Sequence, residues 1–142
     1  MAPGERSTPA SVKFTYEDFL NFPDDGWRHE IIDGEHYGTP SPSTKHQAIV
    51  FTLATALGTY LRAQPIGAAF VAPFDVVFSD LDIVEPDLLY ISRERSHILT
   101  TQHVRGAFTR VAELSAEEHD VLTTPLLPDF AVPLAEIFAS PI

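Results

Sequence analysis

The chain has 142 residues, 44% of them apolar, which suffices for one domain with a buried core. Its net charge of −11 argues against a broad basic surface for phosphate backbones, so any nucleic-acid chemistry would need metal ions to offset the repulsion. The absence of cysteine excludes disulfides and thiolate metal sites and fits a cytoplasmic protein. No apolar run approaches the roughly 20 residues of a membrane helix, so we expect no membrane partner.

The N-terminal third of the chain predicts a tail, a short helix and a hairpin. Residues 1–11 are rich in Pro and Ser and are predicted to be a disordered tail, leaving residues 12–142 as a single domain. Thr15, with Asp18 three residues later, is typical of a capping box that begins a helix. Arg28–Tyr37 predicts two strands joined by an Asp-Gly turn.

The strongest helical pattern runs from Thr44 to Ala63. Apolar residues recur there at helical spacing, and Ser43 or Thr44 can cap the start. The far face carries small hydroxyls, such as those of Thr55 and Thr59, instead of charges. We therefore expect this helix to lie against a sheet and to be largely covered.

Phe70–Ile91 predicts two strands joined by a tight acidic turn at Ser79–Asp82. Both strands are apolar at nearly every position, which favours central strands covered on both faces. Asp75 and Asp87 are the exceptions. If the turn is centred on Leu81, Asp75 lies across from Asp87, and the two carboxylates would repel unless a proton or a cation lay between them. A turn centred half a step earlier removes that arrangement.

The C-terminal part gives weaker signals. Ser92–Gln102 predicts an irregular or short helical segment, and Ala107–Leu114 predicts a strand. Thr124–Leu134 contains three prolines and is predicted to be mostly loop, followed by a short helix at Leu134–Phe138.

Five segments, in this order, resemble the Uma2 family, also called DUF820, of restriction endonucleases in the PD-(D/E)xK nuclease superfamily. They are FTYEDFLNFPDDGWRHEIIDGEHY, TPSPSTKHQ, VAPFDVVFSDLDIVEPDLLYIS, HILTTQHVRGA and TPLLPDFAVPLAEIF. The resemblance implies an α/β fold, with a mixed sheet of about four or five strands flanked by helices, and the Thr44–Ala63 helix on one face of that sheet.

This chain departs from the family pattern after Val104–Ala107. Family members continue there into a strand bearing a glutamate, a helix bearing a lysine and a further strand before the Pro-Leu-Leu-Pro tail. Here the tail follows almost directly, which predicts an internal deletion and a truncated restriction-endonuclease-like core. Val111–Ser115 is either a vestige of the glutamate strand or the segment that precedes the tail.

The family mechanism implies a divalent-metal site. Two carboxylates hold Mg²⁺ or Mn²⁺, the metal activates water, and a lysine positions or deprotonates that water. Asp87 matches the family aspartate by its Pro-Asp-Leu-Leu context, and Glu113 is the one candidate for the glutamate. No lysine follows Lys45, and the other lysine is Lys13.

His46 matches a family histidine and could contact a phosphate or orient a metal-bound water, and Glu30 could be an outer-shell acid. Each candidate also has a structural interpretation: Asp87 as a strand cap, Glu113 as a surface acid, His46 as a helix cap and Glu30 as part of a solvated hairpin. The remaining histidines, including His97 and His103, show no zinc-site spacing and are interpreted as surface residues.

The resemblance therefore predicts a Mg²⁺-dependent endonuclease that hydrolyses DNA phosphodiester bonds, with activity weakened or lost through the missing segment. The alternative is an inactive family remnant that serves as an interaction or oligomerisation module, and a deleted fragment without a function is a third interpretation. Apolar surface uncovered by the deletion would favour a homodimer.

Overall fold

The computed structural model describes residues 12–106 and 121–139. The helices in these ranges are α1 (Tyr16–Phe19), α2 (Thr44–Ala63), a 3₁₀ helix (Arg93–Ile98) and α3 (Leu134–Ile137). The strands are β1 (Arg28–Ile32), β2 (Glu35–Thr39), β3 (Gly67–Val71), β4 (Asp75–Ser79), β5 (Asp82–Val84), β6 (Leu88–Ser92), β7 (His103–Arg105), β8 (Val121–Thr123) and β9 (Ala131–Pro133).

The strands form three sheets within the described residues. The largest has the order β2-β1-β5-β4-β7, in which β4 and β7 are parallel and the other neighbours antiparallel. The pairs β3–β6 and β8–β9 are separate antiparallel ribbons. The predicted α/β class, with a mixed sheet of about five strands, is confirmed.

The predicted N-terminal elements are confirmed in detail. The Asp18 carboxylate accepts the backbone N–H of Thr15 at 2.8 Å and the Thr15 hydroxyl accepts the N–H of Asp18, which completes the capping box of α1. Asp33 (φ 49°) and Gly34 (φ 74°) are both left-handed, as a type I′ turn between β1 and β2 requires.

Helix α2 has the predicted bounds, but its surroundings differ from the prediction. It packs mainly on β3, which belongs to a two-stranded ribbon, and on α3. Its buried residue, Leu57, joins a core cluster formed mostly by the C-terminal segment, with Leu127, Phe130, Val132, Leu134 and Ile137. Thr55 and Thr59 are exposed, so the expectation of a covered hydroxyl face is wrong. The 3.6-residue period placed the helix but could not identify the element that packs on it.

Phe70–Ile91 is not one hairpin. Pro73 and Pro86 have no N–H to donate to a ladder, and they divide the region into four strands. β4 and β5 make the hairpin through a two-residue turn, Asp80-Leu81, while β3 pairs with β6. Val71 is 50% exposed and Phe78 is 41% exposed, so the prediction of strands covered on both faces is also wrong.

Asp75 and Asp87 do not face each other, because the turn has the second of the two registers considered. Asp75 is paired with His103 of β7, and Asp87 lies before β6, where its carbonyl accepts the N–H of Ala72 at 3.2 Å. The observed turn is centred half a step before Leu81, the register that removes the facing arrangement.

The C-terminal predictions have mixed outcomes. The 3₁₀ helix confirms the short helical segment after Ile91, and α3 confirms the last helix. Thr124–Leu134 is mostly loop, as predicted, and the short strand β9 lies within it. The predicted strand Ala107–Leu114, Val111–Ser115 and the predicted tail at residues 1–11 lie outside the described residues. No helix in the described ranges is long and apolar enough to span a membrane.

Candidate active site

Asp87 lies where three elements meet: the entry to β6, the end of β3 and the first turn of α2. Pro86 delays the start of β6 until Leu88, so Asp87 stays outside the ladder. In α2, Ser43 caps the helix by accepting the N–H of His46 at 3.3 Å, which fixes the position of His46 in the first turn.

The side chains of Asp87 and His46 are in direct contact. His46 Nε2 lies 2.9 Å from Asp87 Oδ2, across 41 positions of sequence. Since an ionised carboxylate only accepts hydrogen bonds, Nε2 carries the proton in the neutral ring and Nδ1 is left as an acceptor. Nδ1 is buried and has no hydrogen-bond partner within the described ranges.

Arg28 is the functional candidate that sequence reasoning missed. Its Nη1 lies 2.8 Å from Asp87 Oδ1, and its Nε lies 3.5 Å from Glu85 Oε2. The shorter contact is an ion pair at hydrogen-bonding distance, and it lowers the pKa of Asp87. The family pattern supplies this cation from a lysine, whereas Arg28 lies inside the first of the segments that carry the family resemblance.

Glu30 is connected to Asp87 indirectly. Its Oε1 accepts the backbone N–H of Glu85 at 2.9 Å, which holds the connection between β5 and β6 in place. Glu113 lies outside the described residues. The structure thus brings Asp87 and His46 together, places Glu30 close to them and adds Arg28 and Glu85.

The pKa values of the carboxylates in this part of the structure are shifted in different directions. Burial would raise the pKa of Asp87, but the contacts with Arg28 and His46 outweigh it, and the net pKa lies below its ordinary value. Burial raises the pKa of Glu85; Arg28 opposes this rise, while Asp75, Glu30 and Asp87 add to it. Burial also raises the pKa of Asp75, against the effect of His103.

The Asp87–His46 pair borders a cleft of about 280 Å³. Arg28 and Gln47 add further polar groups to its wall, and the remaining lining residues are apolar: Pro42, Val50, Phe51, Ala54, Val71 and Ala72. Phe51 is 73% exposed at this wall. The cleft therefore combines a polar group of three side chains with an open apolar surface.

A family model described as "Putative restriction endonuclease", Uma2, matches residues 16–124. The chain belongs to the Uma2 family. Among solved structures, it is similar to a protein titled as a putative nuclease belonging to DUF820 from Anabaena variabilis, with a TM-score of 0.53 and 23% identity. That match covers 66% of this chain and 52% of the other, so this chain spans about half the length of its solved relative. No match was found among curated proteins.

These comparisons confirm the Uma2 resemblance and the fold. The coverage of 52% does not locate the residues that this chain lacks, so the internal deletion stays a prediction. Neither lysine of the chain lines the cleft. Lys13 is paired with Asp33, and the lysine of the Uma2 pattern has no counterpart at this site.

A Mg²⁺ or Mn²⁺ site needs several hard oxygen ligands. Asp87 has carboxylate oxygens of this kind, but Oδ1 lies 2.8 Å from Arg28 Nη1 and Oδ2 lies 2.9 Å from His46 Nε2. Glu30 and Glu85 are already engaged with a backbone N–H and with Arg28, and no group of three or more His, Asp or Glu in residues 12–106 and 121–139 is arranged to hold a metal. The described residues therefore supply one ligand of a metal site and not a complete one.

Proposed function

We propose that this Uma2 protein is a cytoplasmic, divalent-metal-dependent nuclease that hydrolyses DNA phosphodiester bonds, with activity weakened by the missing segment. The observation that carries the proposal is the Asp87–His46 contact at 2.9 Å in an open cleft, where the buried Nδ1 of His46 has no hydrogen-bond partner among the described residues. Structural networks normally satisfy buried polar atoms, and those left unsatisfied are candidates for binding a ligand.

The residues have separate roles in this proposal. Asp87 and Glu113 would hold Mg²⁺ or Mn²⁺, which, when bound, supplies activation of water and stabilisation of phosphate charge. Asp87 fixes the tautomer of His46, so that Nδ1 is the acceptor available to a proton. Arg28 provides the cation that a phosphate needs, in place of the absent lysine. Glu30 orients the backbone beside Glu85.

A homodimer would cover the apolar wall of the cleft. Phe51 and Val71 are 73% and 50% exposed there, and a second copy could bury them beside the site. Such a dimer would also bring two weak sites together on one DNA molecule.

An inactive interaction or oligomerisation module is the second candidate. The Arg28–Asp87 ion pair favours it, because it neutralises the one carboxylate that is suited to a metal. The net charge of −11 also opposes binding of DNA without metal ions.

Plasmid nicking with Mg²⁺ and with Mn²⁺ tests the proposal. Wild type is compared with Asp87→Ala and with Asp80→Ala, in which an exposed carboxylate outside the cleft is removed. We expect wild type and Asp80→Ala to nick DNA in the presence of metal and Asp87→Ala to lose at least about 100-fold, as expected for the loss of a metal ligand. If none of the three proteins nicks DNA in the presence of metal, the interaction module is supported instead.

A further inference from the structure

We propose that the free edge of strand β2 is a docking surface for a second copy of this chain, with the β2 strands of the two copies paired antiparallel around Tyr37. β2 is an end strand of the five-stranded sheet, and among the described residues it pairs with β1 alone. All five of its residues, Glu35–Thr39, are exposed. Pairing at this edge depends neither on a metal nor on nuclease activity.

Two residues of β2, His36 and Gly38, direct their backbone groups to the free edge. β1 and β2 are joined by a two-residue turn, so the pair beside the turn, Ile32 and Glu35, exchanges both hydrogen bonds, and bonded and non-bonded pairs alternate from there. His36 and Gly38 fall at non-bonded positions. Ile31, which lies opposite His36, is the residue that pairs with β5, as this alternation requires. The N–H and C=O groups of His36 and Gly38 are therefore directed to a further strand.

The edge of β2 lacks the usual protection of an edge strand. Natural edges are protected by lysine, proline or a bulge. β2 contains neither lysine nor proline, and its five pairs with β1 run without a register shift. Its one carboxylate, that of Glu35, accepts the Tyr37 hydroxyl at 3.1 Å. The strand is therefore open to the addition of another strand.

A second copy fits this edge because β2 is complementary to itself. With a two-fold axis at Tyr37, His36 lies opposite Gly38 of the partner subunit. Both outward-facing residues of each strand are then used, which gives about four main-chain hydrogen bonds between the copies. Glu35 lies opposite Thr39 of the partner subunit, so no like charges face each other.

The neighbouring registers use this edge less well. An axis at Gly38 would place His36 opposite Pro40, which has no N–H to donate. An axis at His36 would place Gly38 opposite Gly34 of the turn, which is left-handed and whose N–H and C=O groups are already bonded within the chain. The axis at Tyr37 is therefore the register that satisfies both outward-facing residues.

The side chains on the two faces also fit this register. The ring of Trp27 covers Gly38 on one face, 3.4 Å from where a Cβ atom would lie, and Trp27 is 53% exposed. The partner's His36, directly opposite Gly38, would lie against the exposed part of that ring. On the other face the two Tyr37 rings, each on a residue 46% exposed, would be adjacent, because residues at the axis form a non-bonded pair with Cα atoms about 4.5 Å apart.

This pairing is distinct from an interface at the apolar wall of the cleft. β2 contributes no residue to that wall, so a copy bound at the wall is the competing arrangement. Arg28 and Tyr37 lie on the same face of the β1–β2 hairpin, so pairing around Tyr37 places Arg28 of both copies on one face of a continuous sheet. A contact between two strands is smaller than the roughly 1,200 Å² of a stable interface, so we expect a reversible dimer at micromolar concentrations.

A cysteine at the axis tests the pairing. The chain has no native cysteine, so a disulfide in the Tyr37→Cys variant must join two copies at this position. Cα atoms about 4.5 Å apart lie within the range of about 4.4–6.8 Å that a disulfide needs. Oxidised glutathione is the oxidant, and it is reduced to two thiols as each disulfide forms. The matched control is Phe51→Cys, at an exposed position of the cleft wall.

The two disulfide rates distinguish the possible interfaces. On non-reducing gels we expect Tyr37→Cys, at about 50 µM protein, to dimerise at least about tenfold faster than Phe51→Cys. Faster dimerisation of Phe51→Cys would assign the interface to the cleft wall. Equal rates would mean random collision. Either result would overturn the proposal.

A proline variant tests the main-chain bonds without cysteine. Gly38→Pro removes an N–H that is directed away from β1, so the hairpin itself is kept. Gly38→Ala retains the N–H and is the control. In sedimentation velocity between about 5 and 200 µM, we expect wild type and Gly38→Ala to approach dimer mass and Gly38→Pro to stay monomeric. A wild type that stays monomeric, or a Gly38→Pro that associates equally well, would contradict the pairing.

The outcome does not depend on the nuclease proposal. Both experiments are made without DNA and without metal, so a failure of plasmid nicking leaves them unaffected. If Gly38→Pro does not fold by circular dichroism, the disulfide rates of Tyr37→Cys and Phe51→Cys decide alone.

Discussion

Two polar networks begin at consecutive residues of β1. They differ in whether their hydrogen-bonding atoms all have partners. Arg28 points toward Asp87 and His46, while His29 contacts Asp25 and His36. Because neighbouring strand residues alternate between faces, one short strand supplies both networks. They resemble each other in composition, since each contains a histidine and an aspartate.

The histidine network is internally satisfied. His29 Nε2 lies 3.0 Å from Asp25 Oδ1, and its Nδ1 lies 2.9 Å from His36 Nε2, so both ring nitrogens are used. The two imidazoles are stacked, and the ring of Phe22 lies 4.6 Å from that of His36. The cleft instead leaves His46 Nδ1 without a hydrogen-bond partner among the described residues. Unused hydrogen-bonding capacity, and not the presence of titratable groups, distinguishes the candidate active site.

The largest expected effect is on the rate of DNA cleavage, and it should differ between a variant of His46 and a variant of His29. His46→Gln should reduce metal-dependent DNA cleavage by at least about 100-fold, since it removes the proton acceptor of the cleft. His29→Gln should keep cleavage within about threefold of wild type. Initial rates of plasmid nicking measure both, and an equal loss in the two variants would show that the comparison is mistaken.

The histidine network should instead contribute to the free energy of unfolding. In a double-mutant cycle of His29→Ala and His36→Ala, we expect a coupling free energy of about 1 kcal/mol, because one hydrogen bond and one ring contact are lost together. Urea unfolding at neutral pH measures it. Additive effects within about 0.3 kcal/mol would mean that the contact contributes nothing.

The pH dependence of stability should differ in sign between two carboxylates. The folded pKa of Asp87 is lowered from 3.8, so its contribution is present above that value and is lost as pH falls through the folded pKa. The folded pKa of Asp75 is raised from 3.8. Its protonated form therefore stabilises the folded state at low pH, and this contribution to stability is lost as pH rises through the folded pKa. Asp87→Asn should therefore destabilise the protein at pH 7 and have little effect near pH 2. Asp75→Asn should stabilise it at pH 7, by roughly 0.5 kcal/mol. Urea unfolding across pH 2–7 checks both.

The smallest effect is expected at an ion pair outside both networks. Asp80 and Arg105 are 3.6 Å apart, with side chains 75% and 52% exposed. Asp80→Asn should change the free energy of unfolding by less than about 0.5 kcal/mol in urea experiments. A larger value would mean that surface charges of this acidic chain influence stability generally, which would weaken the comparison.

The elements that follow local rules could be predicted from the sequence. Helix α2 and the β1–β2 hairpin are set by apolar periodicity, a cap and an Asp-Gly turn, all within a few residues. The Phe70–Ile91 hairpin was predicted wrongly because alternation was extended through Pro73. The parallel pairing of β4 with β7 depends on contacts distant in sequence, which no local pattern indicates.

The site was predictable through the family resemblance and not through spacing. Asp87 and His46 were matched to a pattern, but their contact depends on how α2 approaches β6. Their proposed roles stay predictions. The interpretation of the remaining histidines as surface residues is wrong for two of them: the side chain of His29 is 14% exposed, and His103 Nδ1 lies 3.2 Å from the Tyr16 hydroxyl. Both depend on aromatic partners from α1 and the segment after it, which the histidine spacing could not show.

The dependence of α2 on the C-terminal segment has a consequence for biosynthesis. Leu57 is buried by residues between Leu127 and Ile137, which are synthesised 40 to 50 residues after Asp87. A nascent chain therefore lacks the packing partners of the helix that carries His46, even when Asp87 has already emerged. The Asp87–His46 contact would be completed only near the end of synthesis, so the order of translation itself delays the assembly of the cleft.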